Sequence, residues 1–413
     1  MRVHPRRAGD FVSGALDRAG ALDRARALDA EDPLRELRTR FTMPHGTIYL
    51  NSNSLGPPPA EVTARVRETI ENEWGTSLSA GWTARGWLDA PERLGDRIAP
   101  MIGAMPGEVL VADTTSVALA KLLGAALASR PERRIVVSST DNFPSDLYAA
   151  AHAVNRVGAG LRVVDRSDLP SALDEDVAVC CLSQVDFRTG ALLDLPGLTS
   201  AAHAAGALVL WDLCHSVGVV PVECQTNRVD LAVGCTYKYV SAGPGAPSFL
   251  YVRHDLQETL ENPIPGWLGH QDPFRFDLEW EAARGIRKFL TSTPPVLGLS
   301  ALESALDVFT GVAIEDVRTK SMALGSLFVD ILGAADVPGL ELASPASAHE
   351  RGAQVSLRHP RASELLQSAA RRGVVGDLRP PALCRFGLSP LALSYEEVFL
   401  GADAVVEAAR SLR

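Results

Sequence analysis

Six short runs rich in apolar and β-branched residues punctuate the middle of the chain: "RIVVSS" from Arg134, "LRVVD" from Leu161, "VAVCCLSQV" from Val177, "ALVLWD" from Ala207, "LAVGCTY" from Leu231 and "SFLYV" from Ser248. Helix patterns separate them, among them "SDLYAAAHAVNRV" and "LPGLTSAAHAAG", the second closed by a glycine cap at Gly206. Strand patterns alternating with helices are the signature of a parallel sheet wrapped by helices. The expected architecture is therefore an α/β domain over about residues 70–300. From about Pro295 the pattern turns to a long helix and then to mixed segments, predicting a smaller α+β domain over residues 301–413. Residues 1–69 read as a charged, Ala-rich helical arm followed by "IYLNSNSLGPPP", a strand, a turn and a proline brake that join the small domain.

Charge and cysteine usage narrow the chemistry. Forty basic residues against fifty acidic ones leave a net charge of −10, which gives no support to a nucleic-acid partner or an acidic membrane surface. The arm lacks the apolar segment of a secretory signal, and no apolar run is long enough to span a bilayer. Six cysteines without CxxC spacing, mostly in apolar strand-like surroundings, predict reduced, buried thiols with no metal site and no disulfide framework. A cytoplasmic enzyme acting on a small molecule fits these features.

Open parallel sheets bind ligands beyond the carboxyl ends of their strands, so those ends hold the candidates. "ALVLWD" ends in Asp212, and the next strand pattern runs on to Lys238. Alone, the two residues are as well explained by a structural ion pair. "DTTSV" places Thr115 and Ser116 at a helix start, where hydroxyls and free N–H groups cradle a phosphate or simply cap the helix. "DNFPSDLY" offers Phe143 and Asp146 at another strand-to-helix turn, with Pro144 starting the helix. Together these make the equipment for pyridoxal phosphate: an amine for its aldehyde, an acid for its ring nitrogen, an aromatic plate and an anion cradle.

Eight motifs in order then carry a resemblance: "NSLG" at Asn53, "WTARGW" at Trp82, "FPSD" at Phe143, "WDLCHS" at Trp211, "VGCTYKYVSAGPGAP" at Val233, "PGWLGH" at Pro265, "STPP" at Ser292 and "RFGLSPL" at Arg385. From about Tyr49 to Phe399 the chain resembles the kynureninases. That likeness implies the type I fold of pyridoxal-phosphate-dependent transferases, with a large, mainly parallel seven-stranded sheet domain and a small α+β domain. It implies hydrolysis of the Cβ–Cγ bond of L-kynurenine, or of a 3-hydroxy or other ring-substituted kynurenine, to anthranilate and L-alanine through a pyridoxal phosphate ketimine. Tryptophan catabolism and NAD biosynthesis are the pathways it suggests.

The resemblance also assigns roles. Lys238 is the residue that links covalently to the cofactor, Tyr237 a phosphate contact and proton relay, and Asp212 the partner of the pyridine nitrogen, with His215 close by. Phe143, Pro144, Ser145 and Asp146 face the ring, and Thr115, Ser116 and Ser183 hold the phosphate and ring edge. Trp267 and Thr293 reach across from the second subunit of a homodimer with shared sites. Asn53, Ser54, Trp82 and Arg385 are the implied substrate contacts, Arg385 for the α-carboxylate. Departures from the family pattern at Asn51, Ser52, Ala118 and Ala392 leave the preferred ring substitution open. Two other readings stand beside this one: a cysteine desulfurase or selenocysteine lyase of the same fold, which needs a nucleophilic cysteine, and a catalytically silent homologue serving as a binding protein.

Overall fold

β-Strands form where apolar residues run unbroken for about five positions between glycine, proline or acidic breaks. The computed structural model describes residues 18–412. Its strands in chain order are β1 (Ile48–Tyr49), β2 (Val109–Val111), β3 (Ile135–Ser139), β4 (Gly160–Val164), β5 (Val177–Ser183), β6 (Leu208–Asp212), β7 (Leu231–Cys235), β8 (Ser248–Val252), β9 (Glu341–Leu342), β10 (Gln354–Arg358), β11 (Val374–Val375), β12 (Asp377–Arg379) and β13 (Leu383–Gly387). All six expected strands are among them. β2 was not foreseen, because three residues carry too little pattern.

The larger unit comprises residues 58–187 and 192–314. It is built on a seven-stranded sheet of order β2-β8-β7-β6-β5-β3-β4, in which β8 runs antiparallel to both neighbours and the other pairings are parallel. Unbroken apolar runs are required because both faces are covered. Leu208, Leu210, Leu231, Val233, Leu250 and Val252 enter the core beneath the helices Thr115–Ala128 and Pro144–Val157. The alternate residues Val209, Trp211, Ala232, Phe249 and Tyr251 enter the core beneath Ala90–Ile98, Leu195–Ala204 and Val296–Leu306. One register slip would exchange the two sets. Strand order reverses at β3: β4 lies on one side of it and β5 on the other. That reversal opens a crevice at the carboxyl ends of β3 and β5.

The smaller unit comprises, of the described residues, 18–57, 188–191 and 315–412. Its antiparallel sheet has the order β12-β13-β10-β9, and β1 pairs in parallel with β11. The arm is helical over Arg18–Glu31 and packs on the helix Tyr395–Arg410. The Asp29 carboxylate accepts from the amides of Tyr395 and Glu396 (2.7 and 2.9 Å), while Arg26 pairs with Glu396 (2.8 Å) and Arg38 with Glu397 (2.7 Å).

These units part at 57/58 and 314/315, whereas the sequence reading placed the boundaries at 69/70 and 300/301. The helix Ala60–Glu68 belongs to the larger unit because it packs on Val296–Leu306, with Arg65 donating to Glu303 at 3.0 Å. Residues 188–191 belong to the smaller one because the Arg188 carbonyl accepts from Gln354 (3.0 Å) and the Gly190 carbonyl from the Gly352 amide (2.8 Å). No single described helix is long and apolar enough to cross a membrane.

Candidate active site

The carboxyl ends of β3, β5, β6 and β7 bring most of the expected cofactor residues of the larger unit to one edge. Asp212 closes β6 and is buried; its Oδ1 accepts from the Cys214 amide at 2.7 Å and its Oδ2 from the Ser183 hydroxyl at 3.4 Å. Ser183 also donates to Asn142 Oδ1 at 2.6 Å, and the same oxygen accepts the Phe143 amide at 2.8 Å. Asn142 was missed by the sequence reading. Its buried amide, which donates to Ser138 Oγ at 3.0 Å, ties the turn after β3 to the end of β5.

Asp146 lies in the first turn of Pro144–Val157 and is 1% exposed. Burial, then the charge of Asp212 and a hydrogen bond shared with it, push the Asp146 carboxyl up to about 9. Its carboxyl is thereby favoured in the protonated form beside Asp212. Phe143, the N-cap of the same helix, is 41% exposed and meets Phe187 edge-on at 5.0 Å. A flat ligand therefore has an open aromatic face beside a buried acid.

Lys238 follows β7 in the turn after Tyr237, with Nζ 5.7 Å from the tyrosine ring centre. Burial lowers the affinity of its amine for a proton, but the neighbouring Cys235, Cys214, Tyr237 and Asp212 outweigh it and hold the amine above its ordinary value. Burial raises the Tyr237 hydroxyl, as does the adjoining Cys235. Cys235 and Cys214 form a coupled buried pair. Burial opposes ionisation of Cys235, yet the Cys214 hydrogen bond and the Lys238 charge bring it down to about 7, while Cys214 is raised. Cys214 Sγ also lies 3.7 Å from Thr115 Oγ1, and His215, next in the chain, is buried.

Thr115 and Ser116 open the fourteen-residue helix Thr115–Ala128, whose N-cap, Thr114, makes no side-chain capping bond. The first N–H groups of that helix are therefore left for an anion. The preceding Asp113 has φ +56°, a left-handed backbone that is costly for a non-glycine residue. Lys121, fully buried one face down the same helix, holds it there: Nζ donates to Asp113 Oδ2 at 2.5 Å and to the Phe289 carbonyl at 2.8 Å. The sequence showed Lys121 only as one charge inside "ALAKLLGAALA". Ala118, one turn into the helix, is buried in the core.

Other expected residues stand apart from this cluster. Trp82 packs edge-on against Trp87 at 5.5 Å. Trp267 meets Phe274 at 5.9 Å, and Thr293 is exposed; no hydrogen bond among the described residues joins either to Asp212 or Lys238. In the smaller unit, Arg385 is 1% exposed on β13, opposite Asp377 of β12, which takes its Nε and Nη2 at 2.7 and 2.5 Å. The guanidinium plane is thus set by a carboxylate that the sequence reading did not single out. Asn53 is buried and donates to Gln354 at 2.8 Å; a Cβ on Gly387 would come within 2.2 Å of its Oδ1, which explains the glycine in "RFGLSPL". Ser54 is half-buried in the turn after β1, Ser52 is buried, Asn51 bridges to Gly387, and Ala392 is fully buried. All six cysteines are free and buried, and no group of ligands suited to a metal occurs among the described residues.

Comparison with solved structures places this architecture. The chain superposes on the cysteine desulfurase CsdA from Escherichia coli with a TM-score of 0.77 at 18% identity, over 92% of this chain and 98% of that one. A second match is the cysteine desulfurase from Thermococcus onnurineus NA1, with a TM-score of 0.75 at 17% identity, over 91% of this chain and 98% of that one. The fold is that of the type I pyridoxal-phosphate-dependent enzymes. Sequence comparison goes further: a kynureninase of Burkholderia pseudomallei (strain 1106a) is 44% identical over 384 residues, 91% of each chain. The kynureninase of Pseudomonas fluorescens is 43% identical over 91% of this chain and 92% of its own. Residues 317–405 match the kynureninase C-terminal domain model. The chain belongs to the kynureninase family.

Proposed function

We propose that the protein hydrolyses the Cβ–Cγ bond of L-kynurenine to anthranilate and L-alanine, with pyridoxal phosphate held on Lys238. The observation that carries this reading is 44% identity to a kynureninase over nine-tenths of the chain. The strand-end residues fit the cofactor: an amine, a buried carboxyl pair, an exposed aromatic and an uncapped helix N-terminus follow strands of the same sheet. Bound there, pyridoxal phosphate supplies an aldehyde that captures the substrate amine and a ring that withdraws electrons from Cα. Thr115, Ser116 and the adjoining amides would hold its phosphate, Phe143 would stack on its ring, and Asp212 would keep its nitrogen protonated.

The chain's own residues then handle protons and position. Lys238 would serve as the base for the α-proton, and Tyr237 would relay protons beside it. Arg385, oriented by Asp377, is assigned to the substrate α-carboxylate, and Asn53, Ser54 and Trp82 to the rest of the substrate. The desulfurase reading is not favoured. It needs an accessible reactive thiol, whereas Cys384 is fully buried and pushed up to about 12 by burial and by Asp377.

A homodimer with shared sites is part of the proposal. Phe274, Phe276, Leu278 and Trp280 are exposed in the segment adjoining Trp267, an apolar surface that a second copy would cover. The preferred ring substitution, cytoplasmic localisation and a place in tryptophan catabolism are further proposals of the same kind. Turnover of L-kynurenine by purified protein, without release of sulfide from cysteine, is the expected result; the converse would replace the function. Mixing Lys238→Ala with Trp267→Ala chains should restore activity through one intact site per heterodimer, and no recovery despite demonstrated exchange would rule out sharing.

A further inference from the structure

The amino ends of β6 and β7 open on a second cleft of about 620 Å³, at the sheet edge opposite Lys238. One five-residue strand separates the two edges, roughly 16 Å at the usual rise. Asp230, 1% exposed, forms part of its lining, and its carboxylate is fully taken: it accepts from the Val209 amide (2.9 Å), the His203 ring (2.8 Å) and Arg253 (2.7 Å). It has little capacity left for a further cation.

Positive charge around the cleft exceeds this carboxylate. Arg130 lines it and makes no ion pair among the described residues, its one bond being a long donation to the Ser129 carbonyl at 3.5 Å. Arg228 lines it too, exposed, and lies in the field of Asp255, which is itself bound by Arg253 at 2.6 Å. Arg133 stands behind Gly206 and spends its guanidinium on the carbonyls of Val177 (3.0 Å) and Ala205 (2.8 Å), so no carboxylate cancels its charge. Three arginines, Arg130, Arg228 and Arg253, and His203 thus line the cleft with one aspartate, Asp230, in a protein whose net charge is −10. Arg228 is also held at φ +52°, a backbone costly for a long side chain and one that persists where surroundings impose it, often at ligand clamps.

We infer that this cleft binds a small oligoanion, a molecule bearing phosphate or several carboxylates, gripped by Arg130 and Arg228. Guanidinium forks suit both chemistries, and the exposed Ser200 and Thr226 on the rim add neutral donors. The site is distinct from the cofactor crevice and does not depend on the proposed activity.

Calorimetric titration of the cofactor-loaded protein at constant ionic strength tests it, with inorganic phosphate in one arm and citrate in the other. Saturable binding of at least one probe is expected, and which one binds separates phosphorylated ligands from polycarboxylates. Arg130→Gln and Arg228→Gln should each weaken it about tenfold, Arg130→Lys less so, with melting temperature and visible cofactor absorbance unchanged. Absence of saturable binding to both probes, or affinity unaltered in the Arg130→Gln/Arg228→Gln double variant, would overturn the inference.

Discussion

Asp212 and Asp230 stand at opposite ends of neighbouring strands, both buried and both acidic, yet they are treated in opposite ways. Asp230 receives three close donors, two of them from side chains that can carry positive charge. Asp212 receives one close amide and one long hydroxyl, beside a second acid that burial favours in its neutral form. The amino edge of the sheet is compensated around its carboxylate; the carboxyl edge is left short of positive charge apart from Lys238. Such a shortage is tolerated where a ligand completes the arrangement.

Substitutions can break or sharpen that contrast. Lys238→Ala should lower kcat about a thousandfold or more and abolish covalent cofactor attachment, with the fold intact by circular dichroism. Asp212→Asn should lower kcat about a hundredfold while leaving denaturant stability unchanged or higher, because it removes a buried charge that has few donors. Asp230→Ala should do the reverse: kcat nearly unchanged, unfolding free energy reduced by about 3 kcal/mol in urea, since Arg253 and His203 lose their shared partner. If both aspartate variants cost stability equally, the contrast fails.

The smallest effect concerns pH. The Asp146 carboxyl sits at about 9 in the fold and in the ordinary carboxylate range, about 4, when unfolded. A raised value means the fold holds the proton more tightly, so this contribution is complete below about pH 4 and is lost as pH rises towards 9. Cofactor-free protein should therefore lose stability gradually as pH rises across that window. Asp146→Asn should flatten the slope, measured as denaturant midpoints at several pH values; an identical profile would mean Asp146 is ionised in the fold.

Much of this was legible in the sequence because the sheet is covered on both faces. Strands β5 to β8 are nearly unbroken apolar runs, β6 ends in Asp212 and β7 leads into Lys238. What escaped depends on contacts that sequence spacing does not carry. Asn142 and Ser183 meet only because β3 and β5 are neighbours, Asp377 finds Arg385 through antiparallel register, and Lys121 reads as solvated until the helix is seen buried. The boundaries at 57/58 and 314/315 rest likewise on two helices far apart in sequence. Arg385 was found through the family motif and not from its surroundings.

The docking of Arg18–Glu31 on Tyr395–Arg410 has a consequence for the making of the protein. The carboxylate of Asp29 caps a helix whose first residue is Tyr395, and Arg26 and Arg38 pair with its opening glutamates. During synthesis Arg18–Glu31 leaves the ribosome long before Tyr395–Arg410 is made, so in the interval this segment has no native surface to rest on. The larger unit, contained within residues 58–314, can close while the ribosome is still at work. The smaller unit cannot, and the helix Arg18–Glu31 docks only once residues 395–410 have been made.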